Sequence, residues 1–180
     1  MVTTRPAGRK LLVRLINPTA LLEQWTARYQ WTRSAALTLA APIVDTERFL
    51  QRLQRVLGER RWALTLLAGA WQRIQYTPTD RFHAYVECAQ MSELREIAQA
   101  EGWPEDAAGR LVLMKSVYRT SVWHAVSPAA DLAIPVVSDL QLVLDLWHYP
   151  ERGRETAEQL WRPIARRFER ANGHESSAPR

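Results

Sequence analysis

Apolar and polar positions alternate early in the chain, in "GRKLLVRLINP". Leu11, Val13 and Leu15 fall on one side of an extended segment, with Lys10, Leu12 and Arg14 between them. That period of two predicts a strand. Asn17-Pro18 then opens a helix, because Asn accepts from free amides and proline is tolerated in the first turn. Leu21, Leu22, Trp25 and Tyr29 recur on one face of it. A weak strand is read in "AALTLAAP", ending at Pro42. Asp45 caps a second helix with the apolar stripe Phe49, Leu50, Leu53, Val56 and Leu57, stopped by Gly58.

Beyond Gly58 the pattern becomes more apolar. "RWALTLL" is read as a strand, with Gly69 in the turn or early helix after it, and "RFHAYVE" as a strand by its aromatic content. Ser92 opens a helix that Gly102 closes, and "RLVLMK" is a further strand. Between Tyr118 and Pro135 the reading is a strand "SVWHAV" and a loop carrying Pro128 and Pro135. Ser138 and Gln141 have capping-box spacing ahead of "LQLVLDLWHY". A last helix is expected from about Glu151 to Arg170, with a bend at Pro163. Helices and strands alternate without a strict βαβ rhythm. The fold class is therefore α+β (mixed α/β), a small sheet covered by helices.

At 180 residues the chain fits one domain, and 47% apolar residues suffice for a core. Residues 18–170 are read as that domain, and the polar segment 171–180 as a disordered tail. The formal net charge is +5, and of 24 basic residues only Lys10 and Lys115 are lysine. An arginine-rich basic balance suits polyanionic partners. The single cysteine, Cys88, excludes an internal disulfide and a cysteine zinc cluster. With no signal-peptide pattern and no run approaching about 18 apolar residues, the expectation is a cytoplasmic protein without a membrane partner.

The segment Leu66–Glu87, "LLAGAWQRIQYTPTDRFHAYVE", places a small-residue turn, a short helix, a polar loop and a strand in the order that begins a nucleotidyltransferase core. Such an enzyme needs a glycine-serine turn for phosphates and two carboxylates two residues apart on the strand, sharing a divalent metal. The turn here lacks serine, and Arg81 and His83 stand at the carboxylate positions. Asp80 reads as a turn residue. His83, His124, His148 and His174 show no metal-ligand spacing, and His83 is expected to face solvent or to make a structural hydrogen bond. Asp139 reads as a first-turn residue, six positions from Asp145 and not paired with it. No Gly-x-Ser-x-Gly or glycine-rich phosphate loop occurs. The tryptophans at 25, 62, 71, 147 and 161 read as core. Catalytic residues, metal ligands and cofactors are accordingly expected to be none. Arg5, Arg9, Lys10 and Arg14 are the candidate nucleic-acid contacts, flanking a hairpin-like strand as a winged helix's wing does; a solvated, charge-protected strand edge is the equal alternative.

Four segments, "LLVRLINPTALLEQW", "RRWALTLLAGAWQRIQY", "FHAYVE" and "VVSDLQLVLDLWHYPERGRETAEQL", resemble the AbiEi antitoxins of bacterial type IV toxin–antitoxin systems. The most specific piece is Gln141-Leu142-Val143-Leu144-Asp145-Leu146, then Arg152-Gly153-Arg154, then Ala157-Glu158-Gln159-Leu160. Val143 stands where the family usually has tyrosine. The resemblance implies a winged helix-turn-helix ahead of a degenerate nucleotidyltransferase-like domain, repression of the operon through promoter DNA, and a nucleotidyltransferase toxin as functional partner. Too few residues precede Lys10 to hold a helix-turn-helix, so residues 1–17 are read as the remnant of a wing, with weak DNA binding. The expected function is a non-catalytic antitoxin and transcriptional regulator. The alternatives are a nucleotidyltransferase-related enzyme using Asp80 with Glu87, or an oligomeric scaffold domain.

Overall fold

The computed structural model describes residues 2–7, 10–15, 17–129 and 133–175. Strands β1 (Val2–Ala7) and β2 (Lys10–Leu15) pair antiparallel as a separate two-stranded ribbon. Helix α1 (Pro18–Arg28) follows, with Asn17 Oδ1 accepting from the Ala20 amide at 2.9 Å. Strand β3 (Ala35–Leu39) leads to α2 (Thr46–Leu57), which Asp45 caps through the Arg48 amide at 2.7 Å. Phe49, Leu50, Leu53 and Leu57 are buried, and Gly58 ends the helix at φ 57°. These signals act as their residue types predict.

Strand β4 (Trp62–Thr65) is shorter than the sequence suggests. Helix α3 (Leu66–Ile74) starts inside the apolar run, through a left-handed turn at Leu66 (φ 53°). Every residue from Trp62 to Ala70 is buried. Periodicity cannot separate a buried strand from a buried helix, so this boundary was hidden. Strand β5 (Phe82–Val86) falls where expected, as does β6 (Leu111–Lys115). Helix α4 (Met91–Ala100) is capped by Gln90 rather than opened by Ser92, and Glu93 completes a reciprocal capping box.

The expected strand "SVWHAV" is instead a 3-10 turn at Ser121–Trp123 that buries Val122 and Trp123. The two prolines expected in a loop lie in a small hairpin, β7 (Ser127–Ala129) and β8 (Ile134–Val136), where Pro128 faces Pro135. β7 is the sheet edge, where a missing amide hydrogen costs no ladder bond. Helix α5 (Asp139–Leu146) and helix α6 (Gly153–Glu175) close the chain, and Pro163 is inside α6. α6 runs five residues past the expected end at Arg170; of the proposed tail, residues 176–180 lie outside the described residues.

The main sheet has the order β3-β6-β5-β4-β8-β7. β5 runs antiparallel to β4 and parallel to β6, so the sheet is mixed. Alternation along β5 divides the core. Phe82 packs on Phe49 of α2, while His83 and Tyr85 point to the side of Tyr149 and α5. Helices therefore cover both faces. Leu142 and Leu146 of α5 and Leu160 of α6 are fully or nearly fully buried, joining the C-terminal helices to the core.

Candidate functional site

The first turn of α3 and the start of β5 carry Gly69, Arg81 and His83, the residues singled out in the sequence. Gly69 is in place, and packing explains it. A Cβ there would lie 2.9 Å from Leu142 Cδ2 and 3.1 Å from the Leu64 carbonyl oxygen, so glycine lets α3 approach α5 and the end of β4. Arg81 is exposed just before β5. His83 is 4% exposed, edge-on to Trp31 and to Tyr149 with ring centroids 6.2 and 5.6 Å away.

His83 thus does not face solvent, and its Nδ1 has no hydrogen-bond partner among the described residues. Desolvation, with Arg81 nearby as the smaller cause, lowers its pKa to about 4. It is a neutral ring in an aromatic pocket. Asp80 is a turn residue as expected, 3.7 Å from Arg110 and largely exposed. Asp80 and Glu87 bracket β5, about 20 Å apart at a strand's rise, too far to share a metal ion. Among the described residues, no group of three His, Cys, Asp or Glu side chains could hold a metal ion.

The polar centre of the domain is Asp145, on the helix α5, with no exposed surface. Its Oδ1 accepts from the Tyr29 hydroxyl, from Gln141 Nε2 at 2.9 Å and from the Tyr85 hydroxyl at 3.2 Å; its Oδ2 accepts from the Thr65 hydroxyl. Gln141 Nε2 also donates to the Tyr29 oxygen at 2.7 Å. The capping box expected at Ser138 is consequently half-formed. Ser138 Oγ accepts from the Gln141 amide, while the Gln141 side chain turns inward. Desolvation raises the Asp145 pKa to about 6 despite four donors that favour the anion. Burial, then the Asp145 charge, raises both tyrosines above their ordinary range. The donors come from the end of α1, β4, β5 and α5, so one carboxylate ties four elements together.

Sequence reasoning passed over this centre because its members are up to 116 residues apart. Its only local signal was polar Gln141 and Asp145, four apart in the otherwise apolar "LQLVLDL". Asp139, by contrast, stands in the first turn of α5 as expected and meets Arg73 at 3.4 Å. Of the proposed core tryptophans, Trp62 is buried, Trp147 and Trp161 pack partly buried against the core, and Trp25 is 43% exposed. Trp25 borders a cavity between α1 and α5. Cys88 packs half-buried beside β5.

The basic N-terminal residues sit on the separate ribbon. Its register sets Arg5 against Leu12, Thr3 against Arg14 and Ala7 against Lys10. Arg9 lies outside the described residues. Among those described, no helix is long and apolar enough to cross a membrane.

The fold and the site define a mixed α/β protein whose polar centre is sealed and bears no metal-binding carboxylate pair. Residues 14–164 match the family described as transcriptional regulator, AbiEi antitoxin, type IV TA system, and the chain belongs to that family. No curated protein and no solved structure matches the chain.

Proposed function

We propose that this protein is the antitoxin of a type IV pair, that it restrains a nucleotidyltransferase toxin, and that it does so without catalysis. The observation that carries this reading is the replacement of a carboxylate pair by Arg81 and buried His83, in a chain of the AbiEi family. The succession β4–α3–β5, with β5 antiparallel to β4 and parallel to β6, supports a nucleotidyltransferase-like scaffold. A cation at position 81 would repel magnesium, and a buried imidazole at position 83 offers it no oxygen ligand. The protein works in the cytoplasm, where its toxin acts.

A weak contact with promoter DNA belongs to the same reading. Arg5, Lys10 and Arg14 belong to the paired strands β1 and β2, and these cations together with Arg9 would meet DNA phosphates. The test is co-expression with a candidate nucleotidyltransferase toxin from the same operon. Growth arrest by the toxin alone and recovery on co-expression is the expected result. Failure to recover, or incorporation of labelled nucleotide by the purified chain that disappears in Asp80→Ala, overturns the proposal.

A further inference from the structure

Two helices face each other across a gap that none of the described residues fills. On α1, Leu21 and Trp25 form one wall; on α5, Leu140 and Leu144 form the other. Each pair is four residues apart and so lies on one helical face. The stacked rings of Tyr29 and Tyr118, 4.9 Å between centroids, complete the apolar lining. The space is about 570 Å³, within the roughly 300–1,000 Å³ of small-molecule sites. Each wall is one helical turn long, about 6 Å, which suits a body of one or two rings better than a helix or strand.

The cavity is preformed. Tyr29 is fixed by Asp145 and Gln141, so its ring cannot swing into the gap. Trp25 remains 43% exposed beside this apolar surface, and a ligand would cover it. The lining is also one-signed. Among the described residues, Arg28 is its sole charged side chain, His124 its sole other basic group, and no carboxylate borders the space. Among the described residues no acidic side chain pairs with Arg28. Both basic groups are exposed and so stand at the rim.

We infer that the slot between α1 and α5 binds a small planar aromatic monoanion. The ring system lies between the two leucine-bearing walls against Trp25 and the tyrosines, and the anionic group pairs with Arg28 at the mouth. Aromatic stacking and a charge-assisted contact together select a flat body with one negative group. This site is independent of the antitoxin reading and of the β1–β2 ribbon.

The probe is 1-anilinonaphthalene-8-sulfonate, with the uncharged N-phenyl-1-naphthylamine as control, titrated into the full chain by fluorescence. Saturable one-to-one binding is expected, with the uncharged compound at least tenfold weaker. Arg28→Glu should weaken sulfonate binding at least tenfold, and Leu144→Trp should abolish it by filling the slot. Trp25→Ala alters an exposed residue and should weaken binding of both compounds. Circular-dichroism melting of each variant separates lost binding from lost folding; if Leu144→Trp is unfolded, Arg28→Glu and Trp25→Ala decide. No saturable binding, equal affinity for both compounds, or full affinity in those two variants overturns the inference.

Discussion

Asp145 and His83 lie on the same side of the sheet, and burial moves their ionisation in opposite directions. The carboxyl rises from 3.8 to about 6, and the imidazole falls from 6.5 to about 4. For Asp145 the folded state holds the proton more tightly than the unfolded chain does. Its contribution to stability therefore grows as pH falls through 6 and levels off below 3.8. For His83 the unfolded chain takes the proton first, so stability is lost as pH falls from 6.5 through 4. At about 1.4 kcal/mol per pH unit, each contribution is about 3 kcal/mol, in nearly the same window. In the wild type the two offset each other. Asp145→Asn removes only the gain. Between pH 7 and pH 4 its unfolding free energy should fall by about 2 kcal/mol more than that of the wild type. His83→Leu should show the opposite difference. Urea denaturation followed by circular dichroism at pH 7, 6, 5 and 4 measures both, and differences from wild type cancel the titration common to all three proteins. An Asp145→Asn curve parallel to the wild type would show that Asp145 titrates alike in the folded and unfolded chain, and the reasoning fails.

Three further outcomes follow from the packing and the ribbon. Leu146→Ala removes a fully buried side chain and should cost about 2–5 kcal/mol; an unchanged melting temperature would mean that α5 is not packed as described. Gly69→Ala forces a methyl against Leu142 and the Leu64 carbonyl and should cost about 1–3 kcal/mol in thermal or urea denaturation. DNA affinity measured by fluorescence anisotropy should be weak and little dependent on sequence, with a salt slope that drops by about 0.9 for each of Arg5, Lys10 and Arg14 changed to alanine. Tight binding that prefers the promoter over a scrambled control would point to a reading element elsewhere.

Much of the scaffold was legible in the residues themselves. Asn17, Asp45 and Gly58 act within a few positions of where they stand, and caps of this kind need no knowledge of the fold. The alternation in "KLLVRL" and "FHAYV" placed β2 and β5, and the stripe from Phe49 to Leu57 placed the buried face of α2. The absent carboxylates at 81 and 83 were likewise visible, because residue type alone decides what can hold magnesium. The start of α3 at Leu66 was not, since a continuous apolar run reads the same in a buried strand and a buried helix. Nor were the β strands that carry Pro128 and Pro135, which depend on a neighbouring strand and a free edge. The same limit hid the burial of His83 and the convergence of Tyr29, Thr65, Tyr85 and Gln141 on Asp145. The apolar run around Asp145 hints at burial but names none of its distant partners; only the packing of α1, β4, β5 and α5 around one point removes water and leaves those four donors as its replacement.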